Sequence, residues 1–415
     1  MTVGIVGLGY VGLPLAVAFA ETGARVIGVD VDESHVRALR EGTSPIEDVP
    51  GPRLRELGDH LRFETGYETL ADADAVLICV PTPLSANREP DLGPLVAAAE
   101  AVAGVLRDGQ LVVLESTTYP GTTREEVLPR LERSGLRAGD GFNLAFSPER
   151  VDPGSRQYSV RNTPKLVGGL TPACGDRAEE LYRPVCEEVV RVSTPEVAEL
   201  AKLLENIFRS VNIALVNELA LLAHRMDIDI WEVIGAAATK PFGFMRFDPG
   251  PGMGGHCLPI DPFYLSWRAR QFDFPTEFIE LAGKTNQAQP YFCQLRVAEA
   301  LNDVGKPVRG ARILLVGVAY KPGVGDLRES PALKLIELLR AHGAEVCYHD
   351  PYVPELHGHG LRSQPLEETL PGTDLAVIVT AHPEVDHDAL VEGAALTLDL
   401  RGVTAGRNHP NLVRL

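Results

Sequence analysis

The chain opens on a short apolar run, TVGIVG (2–7), that breaks into a glycine cluster, continues as an apolar helical stretch to Gly23, and rises again as ARVIGVD, ending at Asp30. A buried strand, a tight turn, a helix and a second buried strand in so few residues admit one economical arrangement. The strands lie parallel and the helix crosses over between them, which is the start of a doubly wound α/β fold. Gly7, Gly9 and Gly12 stand as GxGxxG at the first turn, with Tyr10 and Val11 between them, and Asp30 follows the last glycine by 18 residues. Glycines let backbone approach a pyrophosphate, the helix N-terminus complements its charge, and the acid accepts hydrogen bonds from a ribose diol. A plain strand-to-helix turn has no use for Asp30. A carboxylate there also repels a 2′-phosphate, so the expected cofactor is NAD.

Two more buried runs follow, ADAVLICV (73–80) and GQLVVLEST (109–117), and Pro81, Thr82 and Thr118 fall in the loops after them. The far end of the chain repeats the series. ARILLVG (311–317) answers TVGIVG, GAEVCYHD (343–350) answers GARVIGVD (23–30), and TDLAVIVT (373–380) and ALTLDLRG (395–402) answer the next two. The first turn of the repeat, GVAYKPGVGDLRES, is longer and lacks GxGxxG, which implies a different ligand, with Lys321 and Arg328 within its reach. Between the repeats, residues 194–226 contain no glycine and only Pro195, in the first turn behind a capping Thr194. The pattern predicts one helix of roughly 45 Å. The expected architecture is two Rossmann-like doubly wound domains, 1–193 and 301–415, joined by a central helical domain, 194–300.

A net charge of −18 argues against nucleic acid or an anionic membrane as the main partner. Six cysteines form neither a CxxC pair nor a His/Cys metal spacing, a reduced, cytoplasmic pattern with no metal site. The apolar first 20 residues lack a basic leader and hold four glycines, so they read as fold and not as a signal peptide.

On the predicted helix, Lys202 and Asn206 are neighbours one turn apart, with Arg209 a turn further. A cation beside an amide donor can clamp an oxyanion. NLAFSPERVDPG (143–154) sets Glu149 and Arg150 in a loop past an apolar strand, where α/β sheets carry their sites. GPGMGGHCLPIDP (250–262) holds Cys257 among glycines, with Asp261 four residues on. Backbone without side chains admits substrate and cofactor to the sulfur, while the adjacent His256 in an extended turn normally points away. A thiol adds nothing to simple hydride transfer. It becomes useful when an aldehyde is oxidised onward as a thiohemiacetal, giving a thioester that water hydrolyses.

GLGYVGLPLA, CVPTP, ESTTYPGTT, SPER, ELAKLLENIFRSVNIALVNE, GPGMGGHCLPIDP, AYKPGVGDLRESPAL and DLRG occur in this order, and the whole chain resembles the nucleotide-sugar 6-dehydrogenases, the UDP-glucose/GDP-mannose dehydrogenase family. The resemblance implies Cys257 as nucleophile, with Lys202 and Asn206 stabilising oxygen anions. It implies Asp261 and Thr118 as managers of protons and water, and Glu149 in the hydrolytic half or as a base. It further implies NAD on the glycine turn, and a homodimer built on the long helix. The sugar nucleotide would contact Glu149, Arg150, Lys202, Asn206, Arg209, Gly254, Gly255, Tyr320, Lys321 and Arg401.

Ile260 stands where glucose and mannose enzymes of this family commonly carry lysine, and Pro153 where glucose enzymes often place a second glutamate. With TKPFGFM, these point to the UDP-N-acetylhexosamine branch, UDP-N-acetylglucosamine first. Gly323, Gly325, Arg246 and Asp248 also depart from the usual pattern. Two rival expectations remain: a two-electron alcohol or hydroxy-acid dehydrogenase, and a catalytically silent NAD-binding protein.

Overall fold

The structure, a computed structural model, describes residues 1–44, 46, 49–85, 89–151, 157–255 and 258–415. The chain packs as two compact units, Met1–Glu205 with Phe263–Phe274, and Asn206–Pro262 with Pro275–Leu415.

In the first unit the strands are β1 (Thr2–Val6), β2 (Arg25–Val29), β3 (Leu61–Glu64), β4 (Ala75–Ile78), β5 (Leu111–Leu114), β6 (Asn143–Phe146), β7 (Lys165–Gly169) and β8 (Val189–Val192). They form one sheet in the order β3-β2-β1-β4-β5-β6-β7-β8, with only β6 and β7 antiparallel neighbours among the described residues. The sheet is buried on both faces, which is why its strands read as unbroken apolar runs. Ala75 and Leu77 enter one core cluster, and Val76 and Ile78 the other. The strand order reverses between β1 and β4, and ligands of such sheets bind beyond the carboxyl ends at that point.

The second unit holds β9 (Arg312–Val316), β10 (Glu345–His349), the short ladder β11 (Glu355–Leu356) and β12 (Leu361–Arg362), then β13 (Leu375–Ile378), β14 (Thr397–Asp399) and β15 (Leu412–Arg414). Its main sheet is parallel throughout, in the order β10-β9-β13-β14-β15. The repeat read from sequence extends to single hydrogen bonds. In the first unit Gly7 N donates to Val29 O at 2.8 Å and Leu8 N to Asp30 Oδ2 at 2.8 Å. In the second, Gly317 N donates to His349 O at 2.8 Å and Val318 N to Asp350 Oδ2 at 2.7 Å.

The long helix runs Pro195–Arg225, with Thr194 Oγ1 accepting from Val197 N at its start. By length and composition it is the one helix among the described residues able to cross a membrane. Three of its buried polar side chains have partners inside the fold, whereas the buried Ser210 hydroxyl has none among the described residues. Glu199 accepts from Gly121 N and Thr123 N, Asn206 donates to Asp261, and Asn217 donates to Asn286.

One return of the chain has no local signal in the sequence. Residues 263–274 belong to the first unit, where Tyr264 Oη donates to the Thr82 carbonyl, and the Tyr119 and Trp267 rings stand 5.0 Å apart.

Candidate active site

In the first unit, two glycines of the opening turn are demanded by the protein's own backbone. Gly7 sits at φ +90°, and a Cβ there would press to 2.7 Å on Cys79 O. A Cβ on Gly12 would overlap the Gly7 carbonyl. Gly9 is different, because the space a Cβ would fill is open. Nothing among the described residues requires glycine there, and the open space would admit a pyrophosphate against the turn. The helix Gly12–Glu21 begins behind Val11 with no side-chain cap, leaving its N-terminal dipole for an anion. Contrary to the expectation that the turn itself has no use for it, Asp30 ties the turn together, Oδ1 accepting from Asp32 N at 3.0 Å and Oδ2 from Leu8 N at 2.8 Å. A carboxylate keeps further lone pairs for a diol. This group of residues fits NAD.

The loops past β4 and β5 are laced together. Thr82 Oγ1 donates to Thr117 O at 2.7 Å and Ser116 Oγ to Val80 O at 2.7 Å, while Pro81 is exposed. Thr118 is enclosed, and its Oγ1 has no hydrogen-bond partner among the described residues. Glu149 turns back on its own loop, Oε1 accepting from Arg150 N at 2.8 Å and Val151 N at 2.6 Å. Arg150 pairs with Glu205 at 2.8 Å and donates to Pro164 O at 2.7 Å.

Beneath this loop lies a cluster the sequence did not announce. Lys165 Nζ donates to Glu115 Oε2 at 2.6 Å and to Pro148 O at 3.3 Å, and it stands 3.8 Å from Glu149. Tyr182 Oη donates to the other oxygen of Glu115. Burial alone would depress the Lys165 pKa, but the Glu115 and Glu149 carboxylates override it and hold the ammonium charged. A lone lysine opening the apolar strand KLVGG is the only local hint.

Lys202 is buried on the first unit's part of the long helix. In the second unit, Asn206 Nδ2 donates to Asp261 Oδ2 at 2.5 Å, with both residues buried. Arg209 is exposed. Cys257, His256 and Pro153 lie outside the described residues. Burial pushes the Cys186 thiol up to about 11 and Cys293 up to about 12, so neither supplies a thiolate near neutral pH.

The glycines before Cys257 are used for close approach. A Cβ on Gly254 would lie 2.7 Å from Tyr320 Cβ, and one on Gly255 2.9 Å from its ring. Gly255 N donates to Arg328 O at 2.9 Å. Lys321 Nζ stands 6.0 Å from the Tyr320 ring centre. Arg401 lies against Gly250, where a Cβ would strike its guanidinium. Burial draws the Arg401 pKa down, and Asp248 and Asp399 oppose that only in part. Arg328, expected to be available to phosphate, instead forks onto Asp326, with Nε at 2.9 Å and Nη2 at 2.6 Å. Arg246 pairs with Asp248 at 2.8 Å.

Residues 1–186, 196–288 and 314–406 match, in turn, the NAD binding, central and UDP binding domains of the UDP-glucose/GDP-mannose dehydrogenase family. The chain is 37% identical over 366 residues to the UDP-N-acetyl-D-glucosamine 6-dehydrogenase of Pseudomonas aeruginosa, covering 87% of this chain and 86% of that protein. It is 40% identical over 389 residues to the UDP-N-acetyl-D-mannosamine dehydrogenase of Pyrococcus horikoshii, covering 92% and 90%. The solved structure of a UDP-D-ManNAc dehydrogenase from Pyrococcus horikoshii superposes with a TM-score of 0.91 at 35% identity, over 100% of this chain and 99% of that one. The chain therefore belongs to the UDP-glucose/GDP-mannose dehydrogenase family, and it is an NAD-dependent nucleotide-sugar dehydrogenase.

Proposed function

We propose that the chain oxidises the C6 hydroxyl of a UDP-N-acetylhexosamine to the carboxylate, with UDP-N-acetylglucosamine as the leading substrate. The observation that carries the mechanistic part is the buried 2.5 Å contact between Asn206 and Asp261, which joins an amide donor to a carboxylate four residues past Cys257.

Gly7, Gly9, Tyr10, Val11, Gly12, Asp30, Pro81, Thr82 and Thr118 hold the cofactor. NAD, when bound, supplies the acceptor for two electrons in each of the two oxidations. Lys202 and Asn206 stabilise the oxygen anion that forms at C6. The Cys257 thiolate adds to the C6 aldehyde, forming the carbon–sulfur bond of a thiohemiacetal, whose oxidation leaves a thioester. Asp261, Thr118 and Glu149 handle protons and water as the thioester is cleaved, releasing the carboxylate and returning the thiol. The sum is one alcohol, one water and two NAD to one carboxylate, two NADH and three protons. Arg150, Arg209, Gly254, Gly255, Tyr320, Lys321 and Arg401 receive the sugar nucleotide. The functional division is 1–193, 194–300 and 301–415, in line with the limits of the three family domains.

Ile260 is half-buried in place of a charged side chain, which favours an acetamido methyl. One methyl-sized contact discriminates only about 10–200-fold. UDP-N-acetylmannosamine is the second reading, favoured by the 40% identity to an enzyme named for it. Exposed Leu204, Phe208, Leu215 and Leu222 along the long helix support a homodimer, and the free cysteines support a cytoplasmic setting. A panel of UDP-N-acetylglucosamine, UDP-N-acetylmannosamine, UDP-N-acetylgalactosamine, UDP-glucose and GDP-mannose tests the reading by NADH yield and product mass. Two NADH per acetamido sugar and a uronic acid are expected. A higher kcat/KM for UDP-glucose than for every acetamido sugar overturns the substrate, and one NADH per sugar overturns the thiol mechanism. Cys257→Ala should bind NAD yet form no acid.

A further inference from the structure

The long helix bears a second buried asparagine that the proposed chemistry leaves unused. Asn217 stands 11 residues, three turns, past Asn206 and therefore on the same face. It is fully enclosed. Its Oδ1 accepts from Gly250 N at 3.0 Å and its Nδ2 donates to Asn286 Oδ1 at 2.9 Å. Asn286, also buried, donates from Nδ2 to Ser210 O at 3.1 Å. The relay has one possible direction, because Gly250 N–H can only donate and the Ser210 carbonyl can only accept.

Asn217 thus grips residue 250, and Asn206 grips residue 261, at the two ends of the segment that carries Cys257. The two asparagines are ~16 Å apart along the helix. Eleven residues could reach ~36 Å, so the separation of the ends does not dictate the path between them. Specific contacts must do so. Asn217 is the side-chain anchor where the glycine stretch begins, Arg328 O holds Gly255 N further along, and Asn286 locks the Asn217 amide in the orientation that presents oxygen to Gly250.

We propose that Asn217, held by Asn286, is a positioning residue that sets how Cys257 is offered for reaction. The inference rests on Cys257 being the nucleophile.

Three variants test it in the full-length enzyme: Asn217→Ala, Asn286→Ala and the double replacement. Turnover is assayed with NAD and both UDP-N-acetylglucosamine and UDP-N-acetylmannosamine. Each single variant should lower kcat at least 10-fold while the KM for NAD stays within twofold. The double variant should be no worse than the poorer single, since both remove one device. Without substrate, iodoacetamide should alkylate Cys257, followed by peptide mass, at a rate shifted at least threefold from wild type, a change that lost stability alone would not produce in a folded variant. Folded variants with wild-type kcat and alkylation rate, or multiplicative losses in the double variant, overturn the proposal. If Asn217→Ala does not fold, hydrogen exchange in wild type and Asn286→Ala decides. The Gly250 amide should be protected in the former and exchange at least 10-fold faster in the latter, and equal rates overturn the relay. Acid production by Cys257→Ala would refute the nucleophile instead, independently of these outcomes.

Discussion

His382 Nε2 lies 3.0 Å from Asp350 Oδ2, with both side chains fully enclosed, and the ring's Nδ1 accepts from Gly323 N at 3.2 Å. Asp350 is the counterpart of Asp30. In the first unit the acid stays half-exposed, whereas in the second a histidine covers it and ties it to the loop bearing Tyr320 and Lys321. The repeat keeps the acid and changes its employment.

Replacing His382 by alanine removes the tie to Gly323. Loss of one buried hydrogen bond, about 1–2 kcal/mol, predicts UDP binding weaker by roughly 10-fold, with NAD binding unchanged, by calorimetry with each ligand. Burial would raise the Asp350 pKa, but the bonds from His382, Val318 and Ala319 outweigh it and hold the carboxyl below its ordinary value of 3.8. A depressed carboxyl stabilises the fold above its unfolded pKa and loses that contribution as pH falls through the folded one. Wild type should therefore lose stability below about pH 4 more steeply than Asp350→Asn, in acid unfolding curves.

Lys165→Met should be among the most damaging single changes in the first unit. It strands the buried Glu115 carboxylate, a loss of about 3–5 kcal/mol in denaturant unfolding at pH 7. Adding Glu115→Gln should restore part of it. Because the folded Lys165 pKa is raised above its ordinary value of 10.5, its contribution is complete below that pH and disappears as pH climbs through the folded pKa. The variant and wild type should therefore converge in stability only in strong alkali.

Gly9 and Gly12 should fail in opposite ways. A methyl at position 9 enters open space, so Gly9→Ala should keep its Tm but bind NAD at least 10-fold more weakly. A methyl at 12 overlaps the Gly7 carbonyl, so Gly12→Ala should lose stability before affinity can be measured. Thermal melts with and without NAD separate the two.

Asp30 should impose NAD over NADP. Asp30→Ala should narrow the preference while also loosening the turn, since Leu8 N and Asp32 N lose their acceptor. Comparable wild-type kcat/KM for both cofactors would remove Asp30 from the cofactor site.

Much of the fold is legible in the sequence. The echo of GARVIGVD in GAEVCYHD marks the repeat of the fold, and the capping Thr194 marks the start of the long helix. What escaped was non-local. Nothing around Lys165 names Glu115, fifty residues earlier, as its partner, and β7 gives no sign that it runs against β6. His382 follows β13 in an ordinary loop, and only the fold brings it to Asp350. Asn217 left a fainter trace, as a carboxamide among apolar residues on the same helical face as Asn206.

The membership of residues 263–274 in the first unit bears on how the chain is made. Domains form as units while synthesis proceeds from the N-terminus, yet Tyr264 and Trp267, which brace the loops at Thr82 and Tyr119, are translated after the entire long helix. The cofactor turn can assemble early on a nascent chain, but those loops cannot acquire their final support until residue 274 has left the ribosome. A fragment cut at the end of β8 would contain every strand of the first sheet and still lack these braces.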